Sequence, residues 1–298
     1  MKKILITGGG GQLGRELYTF LFDKYDIIMT SRHSKSSSNV IQYLKMDVSD
    51  RENVNEIVTT YNPDIIINCA AFCDVDANEN QKKFSREVNI SGLKNILMTS
   101  SKNTHIIQIS SDYVFDGENG PYFEDDSTYP VNYYGKIKLE AENILRGSLH
   151  RWTIIRPNVI YGSNVMCKTN FFAWVYKSLL NNKKIDIVSD QISNPTFITD
   201  LVESIFQCII FEYEGILHYG SENYLSRYDF SIQIAEQFKF DYKLISPITT
   251  EELHIKLPNY IAARPKHSGL MVDKILNELN IEKFSTNYSL QRLYDFMI

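Results

Sequence analysis

The sequence predicts an α/β protein built on a doubly wound parallel sheet, with a smaller, discontinuous second lobe toward the C-terminus. Two observations lead to this prediction. In the first half of the chain, short apolar runs alternate with longer runs whose apolar residues recur at helical spacing. The short runs are apolar throughout, which is typical of parallel strands that helices cover on both faces of the sheet.

The elements of the first half follow in order. The predicted strands are rich in isoleucine, and they are KILIT, DIIMTS, PDIIINCAA and THIIQIS. The predicted helices between them are QLGRELYTFLFDKY, SDRENVNEIVTTYN (opened by Ser49) and KKFSREVNISGLKNILMTSSKN. Farther along the chain, strands are predicted at RWTIIRPNVIYG, KIDIV and GILHYG, and helices at NFFAWVYKSLLNN and ITDLVESIFQCIIF. After Tyr219 the pattern becomes irregular.

The order of elements also predicts the domain organisation. Residues 1–158 form the first domain, and a segment near 198–220 returns to it. Residues 159–197 and 221–298 form the second lobe. No Pro- or Gly-rich linker divides the chain cleanly between these parts.

Composition narrows the classes of function. The chain has 298 residues and a formal net charge of -5, which argues against a nucleic-acid-binding protein. No apolar run reaches the ~18 residues of a membrane span, so no membrane partner is expected. The cysteines show neither a CxxC pair nor a metal-ligand spacing, and they are Cys69, Cys73, Cys167 and Cys208. We therefore expect no metal, reduced thiols in a cytoplasmic protein, and Cys69 and Cys73 buried as small apolar side chains.

A glycine motif lies between the first predicted strand and the first predicted helix, with Gly8, Gly11 and Gly14 in ITGGGGQLGREL. Glycine permits a tight turn with positive φ and lets the backbone approach a pyrophosphate closely. The pyrophosphate then lies at the helix N-terminus, where free N–H groups favour anions. Outside such a context a plain turn is the alternative. At the start of a βαβ unit, the motif predicts dinucleotide binding over Gly8 to Leu13, and with it a Rossmann-type fold.

The end of the second strand bears on the choice of cofactor. An acid there favours NAD, whereas a basic residue accommodates the 2′-phosphate of NADP. This strand ends without an acid and continues into Ser31 and Arg32. The sequence therefore favours NADPH, with NADH as the alternative if Arg32 is only a solvated loop charge.

A second motif carries acid–base chemistry. Tyr134 and Lys138 are four residues apart in NYYGKIKLEAE, so they lie on one side of a predicted helix. An ammonium group beside a phenol favours the phenolate, which lets tyrosine donate a proton to a carbonyl being reduced. Ser111 follows the predicted strand THIIQIS, where its hydroxyl can hold the same oxygen. Tyr133 and Ser110 are the neighbouring rivals for these roles, but residue i+4 from Tyr133 is an isoleucine.

Together these motifs resemble the extended short-chain dehydrogenase/reductases. Nearly the whole chain is similar, in order, to one branch of that family, the dTDP-4-dehydrorhamnose reductases. The segments that carry the resemblance are GGQLG, PDIIINCAAFCDVDANE, SSDYVFDGENGPYFEDDSTYPVNYYGKIKLEAE, RPNVIYG, SDQISNPTFITDL and AARPKHSGL. Two departures stand out, because Ser111 replaces the usual threonine and Tyr133 adds a second tyrosine before Gly135.

The resemblance implies an NAD(P)H-dependent reduction of the C4 keto group of a nucleoside-diphosphate 4-keto-6-deoxy sugar, for surface polysaccharide precursors. It makes the second lobe substrate-binding. It implies catalytic roles for Ser111, Tyr134 and Lys138. Cofactor contacts are implied for Gly8, Gly11, Gln12, Leu13, Gly14, Ser31, Arg32, Asp47, Val48, Cys69, Ala70, Ala71, Asn89, Ser110, Tyr134, Lys138 and Pro157. Substrate contacts are implied for Val75, Asp76, Tyr113, Phe115, Asn158 and Arg264.

Three alternatives stay open at this point. Arg264 is either a partner of the substrate pyrophosphate or part of an ion pair between the lobes. The activity could instead be that of a nucleotide-sugar epimerase or dehydratase of the same family, or the chain could be a non-catalytic, cofactor-binding regulatory subunit. The intact set of Ser111, Tyr134 and Lys138 favours an enzyme. The oligomeric state is also open, with a homodimer compatible with the resemblance.

Overall fold

The computed structural model describes residues 1–33, 42–162, 170–257, 261–282 and 284–298. Its strands are β1 (Lys3–Thr7), β2 (Asp26–Ser31), β3 (Leu44–Lys45), β4 (Ile65–Asn68), β5 (His105–Ile109), β6 (Arg151–Pro157), β7 (Ile160–Tyr161), β8 (Ile185–Val188), β9 (Ile192–Ser193), β10 (Thr196–Phe197), β11 (Gly215–Tyr219), β12 (Leu225–Ser226) and β13 (Ile245–Ile248).

The helices are α1 (Gln12–Leu21), α2 (Arg51–Tyr61), α3 (Val75–Asn80), α4 (Lys82–Arg86), α5 (Gly92–Thr99), α6 (Tyr133–Arg146), α7 (Phe171–Leu180), α8 (Ile198–Ile210), α9 (Arg227–Gln237), α10 (Thr250–Lys256), α11 (Asp273–Leu279) and α12 (Thr286–Met297). A π-helical turn (Glu87–Ser91) joins α4 to α5. Short 3₁₀ turns lie at Asp112–Val114 and Tyr242–Leu244.

Two compact units make up the chain. The first comprises Met1–Ser111, Tyr133–Arg156 and Ile205–Leu217, and the second comprises Asp112–Asn132, Pro157–Ser204 and His218–Ile298. The predicted boundaries differ from this division at residues 112–132, which we predicted to lie in the first domain, and the returning segment is shorter, Ile205–Leu217 rather than 198–220. The segment 112–132 is irregular apart from its 3₁₀ turn, so its own pattern could not reveal which unit it joins.

The first unit is built on a seven-stranded sheet in the order β11-β6-β5-β4-β1-β2-β3. From β6 to β3 neighbouring strands pair in parallel, and Ile4 lies beside Ile27 on one side and Ile65 on the other. The chain starts in the middle, moves outward through β2 and β3, and then returns to build the other half from β4. The predicted Rossmann-type doubly wound sheet is therefore confirmed. Ligands bind such sheets beyond the carboxyl ends of the strands, where the strand order reverses between β1 and β4.

Burial explains why the isoleucine-rich runs form these strands. Ile4, Leu5 and Ile6 of β1 and Ile66 and Ile67 of β4 are all inaccessible to solvent. Residues on one face pack against α2, α5 and α6 in a single apolar cluster. Complete burial of both faces is the reason these strands read as continuous apolar runs in the sequence.

The second unit combines three two-stranded sheets with helices. β10 pairs with β7 and β13 with β8 in parallel, whereas β12 and β9 are antiparallel. Its core combines aliphatic side chains with the rings of Tyr161, Phe172 of α7, Phe230 of α9 and Phe238.

Although the sequence pattern becomes irregular after Tyr219, the residues that follow form α9 to α12 as well as β12 and β13. Two of these helices begin with reciprocal capping boxes, Ser226 with Asp229 and Thr249 with Glu252. These local signals were present in the sequence.

Two other local expectations also need correction. Asp50 rather than Ser49 caps α2, and its carboxylate accepts hydrogen bonds from the N–H groups of Glu52 and Asn53. Cys73 is exposed and Cys69 is half-buried, whereas Cys208 is buried. Both thiols follow β4 in a loop rather than lying inside the strand. Cys167 falls outside the described residues. Within the described part of the chain, no helix is both long and apolar enough to cross a membrane.

Candidate active site

The glycine turn between β1 and α1 packs directly on the loop after β4. Gly8 has a φ of 63°, and a Cβ at this position would lie 2.7 Å from the Cα of Ala70. A Cβ at Gly14 would lie 2.7 Å from the Cα of Gly9. Because backbone atoms occupy both places, neither position accommodates a side chain. Glycine is therefore required here for two reasons, conformation at Gly8 and close packing at both residues.

The turn leaves a helix N-terminus suited to an anion. Gly11 is the N-cap of α1 and has no side chain with which to cap it, and the first turn of this helix contains no acidic residue. Arg15 stabilises the turn because its Nε and Nη2 both donate to the carbonyl oxygen of Gly10, at 3.0 and 2.8 Å. Backbone N–H groups and the helix dipole attract negative charge at such an end. The cradle thus fits a dinucleotide pyrophosphate, and Gln12 and Leu13 belong to its first turn.

A row of polar side chains joins the carboxyl ends of three adjacent strands. Thr7 Oγ1 donates to Asn68 Oδ1 at 2.6 Å, and Asn68 Nδ2 donates to Gln108 Oε1 at 2.8 Å. Gln108 Nε2 donates in turn to the carbonyl oxygen of Ile109 at 3.0 Å. All three side chains are buried. Sequence reasoning missed this row, although each residue is the polar exception near the end of an apolar strand.

The end of β2 is the place predicted for the adenosine ribose. Ser31 pairs in register with Lys45 of β3, and the Arg32 guanidinium lies 5.7 Å from the ring centroid of Phe84. Burial opposes ionisation of Asp47, but hydrogen bonds from Ser49 and the charge of Arg32 outweigh it and lower the pKa of Asp47. Two cationic residues, Arg32 and Lys45, therefore lie at the end of β2.

Val48, next to Asp47, is buried against α5. A Cβ at Gly92 of α5 would lie only 2.8 Å from the Cγ2 of Val48. The carbonyl oxygen of Val48 accepts a 2.9 Å hydrogen bond from Asn95 Nδ2. These contacts fix the position of the segment that carries the predicted adenine contacts. The contacts themselves remain a prediction.

The loop after β4 contains Cys69, Ala70 and Ala71 and is held by two asparagines. Asn89 Oδ1 accepts a 3.1 Å hydrogen bond from the N–H of Phe72. Asn78 Nδ2 donates at 3.1 Å to the carbonyl oxygen of the same residue. Asn89 lies within the π-helical turn, a feature that is frequent at functional sites. Asn89 thus holds the loop through the N–H of Phe72. Its contact with the cofactor stays a prediction.

The three predicted catalytic residues all belong to the first unit. Tyr134 lies in the first turn of α6, with Lys138 one turn later, and Ser111 follows β5. The Nζ of Lys138 donates a 2.6 Å hydrogen bond to the carbonyl oxygen of Ile109 and lies 6.0 Å from the centroid of the Tyr134 ring. All three residues are buried, with exposed fractions of 8% for Ser111, 9% for Tyr134 and 4% for Lys138. The hydrogen bond from Lys138 therefore connects α6, which contains Tyr134, to the end of β5, which precedes Ser111.

Opposing effects act on the pKa of Lys138. Burial lowers the pKa of its ammonium group, while the neighbouring Cys73, Glu142 and Cys69 act in the opposite direction. Burial also raises the pKa of Cys69 to about 12, so this thiol is neutral near pH 7. The effect of burial is the larger, so the pKa of Lys138 lies below its ordinary value.

Sequence reasoning missed a buried ion pair behind these residues. Glu142 is one turn beyond Lys138 on α6, and its carboxylate accepts hydrogen bonds from Arg156 Nε at 2.9 Å and from Arg156 Nη2 at 2.7 Å. Ser110 Oγ donates to Glu142 Oε1 at 2.5 Å. The glutamate and the arginine are 0% and 2% exposed. The hydroxyl of Ser110, which we expected to contact the cofactor, is thus bonded to Glu142.

The residues predicted to contact substrate are distributed over both units. Val75 and Asp76 open α3 in the first unit and are half-buried. Tyr113 and Phe115 belong to the second unit. The Phe115 ring is fully buried and stacks on Tyr122, with their centroids 4.3 Å apart, which favours packing over pocket lining for this residue.

The remaining predicted residues also lie in the second unit. Asn158 is fully buried, and its Nδ2 donates at 2.8 Å to the carbonyl oxygen of Ser268. Arg264 is half-buried, and its Nη1 donates at 2.6 Å to the carbonyl oxygen of Ala262. Pro157 ends β6. These contacts describe how the residues are held, and their binding roles stay predictions.

Comparison with known proteins agrees with this geometry. The chain matches the family described as RmlD substrate binding domain over residues 1–297. It is 30% identical over 297 residues to a dTDP-4-dehydrorhamnose reductase of Aggregatibacter actinomycetemcomitans, covering 95% of each protein. It is 34% identical over 277 residues to the spore coat polysaccharide biosynthesis protein SpsK of Bacillus subtilis, covering 91% of this chain and 89% of that protein.

A solved structure is similar over the same length. The dTDP-4-dehydrorhamnose reductase of Bacillus anthracis, in complex with NADP, aligns with a TM-score of 0.88 and 28% identity. The alignment covers 99% of this chain and 100% of that structure. The resemblance seen in the motifs is therefore confirmed, and the chain belongs to the RmlD family of extended short-chain dehydrogenase/reductases.

Proposed function

We propose that this protein reduces the C4 keto group of a nucleoside-diphosphate 4-keto-6-deoxy sugar with NADPH, as a dTDP-4-dehydrorhamnose reductase does. The observation that carries the proposal is the intact group of Ser111, Tyr134 and Lys138, with Lys138 bonded to the strand end before Ser111. The reaction makes a precursor of a surface polysaccharide, in keeping with the name of the Bacillus subtilis relative.

Each residue has a distinct role in this mechanism. The hydroxyl groups of Ser111 and Tyr134 donate hydrogen bonds to the C4 carbonyl oxygen and hold it in place. Tyr134 gives its proton to this oxygen as the alcohol forms. Lys138 holds the ribose next to the nicotinamide, and its positive charge favours loss of the tyrosine proton. When bound, the cofactor supplies the hydride.

NADPH is the cofactor we propose over NADH. Arg32 and Lys45 both lie at the carboxyl end of β2 and its neighbour β3, and residues 30–33 include no acid. A 2′-phosphate gains charge-assisted hydrogen bonds from such residues, whereas the ribose 2′-hydroxyl of NAD is usually held by an acid. The positive charges of Arg32 and Lys45 therefore favour the phosphorylated cofactor.

Substrate contacts are proposed for Val75, Asp76, Tyr113, Asn158 and Arg264. We also propose a cytoplasmic location, where nucleotide sugars are made, and a homodimer as the oligomeric state. No nucleic-acid or membrane partner is included in the proposal.

The direct test is a coupled assay. The purified protein is mixed with NADPH and an enzymatically prepared dTDP-4-keto-6-deoxyglucose mixture that includes the epimerase needed upstream, and loss of reduced nicotinamide absorbance is followed. Substrate-dependent loss that disappears in Tyr134→Phe, while NADPH still binds, is the expected result. Unchanged turnover in Tyr134→Phe would refute the mechanism.

The same assay separates the alternatives. An epimerase or dehydratase retains its cofactor through the cycle, so NAD would co-purify with the protein and no net oxidation of NADPH would occur. A regulatory subunit would bind the cofactor but turn over neither substrate nor cofactor. Either result would overturn the proposed function.

A further inference from the structure

The face of α6 that carries the catalytic residues extends one turn farther than the motif does. Tyr134, Lys138 and Glu142 recur at intervals of four residues, so they line one side of the helix. All three are buried, and Glu142 is 0% exposed. Acidic residues are almost never fully buried without a partner, so the carboxylate has a structural or functional task.

Two consecutive residues of the strand end are bonded to two consecutive turns of this helix. Lys138 Nζ binds the carbonyl oxygen of Ile109 at 2.6 Å, and the Glu142 carboxylate binds the hydroxyl of Ser110 at 2.5 Å. Ser111 is the next residue. The backbone of Ser110 is held as well, since its N–H donates at 2.7 Å to the carbonyl oxygen of Ile155 on β6.

Arg156 completes the arrangement from the neighbouring strand. It follows Ile155, which is paired in register with Ile109, so it lies beside Ser110. Its Nε and Nη2 bind both oxygens of Glu142. This bidentate geometry fixes the plane of the carboxylate and leaves Oε1 directed at Ser110. It also neutralises a charge that would otherwise be buried without compensation.

We infer that Glu142, aligned by Arg156, is a positioning residue that fixes the Ser110–Ser111 strand end and thereby sets the position of the Ser111 hydroxyl. Ser110 is the link, since its side chain is bonded to Glu142 rather than free to face the cofactor. Glu142 also favours the charged form of Lys138, which lies one turn earlier on the same helix. The inference rests on the proposed reductase function for its kinetic consequences.

The key variants are Ser110→Ala, which removes the link and keeps the ion pair, and Glu142→Gln, which removes the charge. The matched control is Glu140→Gln, on the same helix, where the carboxylate pairs with Arg86 at the surface. We expect kcat to fall about tenfold or more in Ser110→Ala and Glu142→Gln, with less than about threefold change in KM for NADPH. Glu140→Gln should match the parent protein.

A double variant shows whether the two residues act together. If Ser110 acts through Glu142, then Ser110→Ala combined with Glu142→Gln should lower kcat no more than about twofold beyond Glu142→Gln alone. Additive losses would overturn the inference. A rise in the KM for NADPH with unchanged kcat in Ser110→Ala would also overturn it, because Ser110 would then act only as a cofactor contact.

A measurement without turnover gives an independent readout. Hydrogen–deuterium exchange of the protein without added cofactor should become faster in residues 105–111 of Ser110→Ala, while exchange in α2 stays the same. Unchanged exchange in residues 105–111 would overturn the inference, even if kcat falls. Should Glu142→Gln fail to fold, Ser110→Ala alone decides the matter. Absence of turnover in the parent protein would refute the proposed function, and the exchange experiment would still test the positioning.

Discussion

The ammonium group of Lys138 is bonded to the carbonyl oxygen of Ile109, two residues before Ser111, at a distance of 2.6 Å. This contact connects Lys138, which we propose lowers the pKa of Tyr134, to the strand end that precedes Ser111. Replacing Lys138 by methionine keeps much of the side-chain volume but removes the donor and the charge. We expect kcat to fall by about 10²-fold or more, because an unassisted tyrosine is a poor acid–base group near neutrality.

The control for Lys138→Met is Lys136→Met, on the exposed side of the same helix. Steady-state kinetics with NADPH measures both variants. Equal activity of the two would contradict the catalytic role of Lys138.

Removal of the Arg32 charge tests the cofactor preference. Arg32→Ala should raise the Kd for NADPH about tenfold, equivalent to ~1.4 kcal/mol, and leave the Kd for NADH nearly unchanged. Fluorescence titration of both cofactors checks this. Arg51→Ala, at the exposed start of α2, serves as the control for loss of a cation. Equal weakening of both cofactors would argue against a 2′-phosphate contact.

Gly8→Ala tests the turn before α1. The added Cβ meets the backbone of Ala70, and the residue must hold a φ of 63°, so we expect destabilisation of about 2 kcal/mol or more together with weaker NADPH binding. Urea denaturation and NADPH titration measure the two effects. Gly147→Ala is the control, since the nearest atom to a Cβ there is 3.4 Å away. A variant as stable as the parent protein would contradict the close packing.

His105 should make stability depend on pH. Burial, aided by the charge of Arg151, lowers the pKa of His105 to about 4, while its Nε2 lies 2.8 Å from Thr153 Oγ1. An unfolded histidine titrates near pH ~6.5. Folding therefore favours the neutral imidazole of His105. The contribution of His105 to the free energy of unfolding is fully present above pH ~6.5 and is lost as the pH falls toward 4. The loss over that window is roughly 3 kcal/mol.

Urea unfolding at several pH values from 7 to 4 measures the effect of His105. The variant His105→Asn should flatten the dependence of the unfolding free energy on pH, whatever its absolute stability. His33→Asn, which changes an exposed histidine, should keep the slope of the parent protein. A slope that persists in His105→Asn would assign the acid sensitivity to other groups.

The sequence was most informative where one segment carries its own signal. The isoleucine runs of β1 and β4 are buried on both faces, so their composition alone predicts parallel strands. The spacing of Tyr134 and Lys138 likewise requires only a helix to place them together. Asp50 shows the limit of this approach, because Ser49 and Asp50 are both good capping residues and only the backbone geometry selects the second.

Other features depend on residues that are distant in the sequence. Glu142 looks like one of several charges on an amphipathic helix, and only the pairing of β5 with β6 brings Ser110 and Arg156 to it. The exposure of Cys73 depends on where the chain turns after β4, which an apolar composition does not reveal. Sequence patterns therefore identified the proposed reacting groups but not the side chains that hold them.

The location of Ser111, Tyr134, Lys138 and Glu142 in one unit has a consequence for how this protein can change. The residues that we propose transfer the proton are held by β5, α6 and the neighbouring strand β6. Mutations accumulating in the second unit leave those bonds intact, so that unit is open to drift, or to exchange by an engineer, without rebuilding the chemistry. New sugar preferences can therefore arise on an inherited reaction.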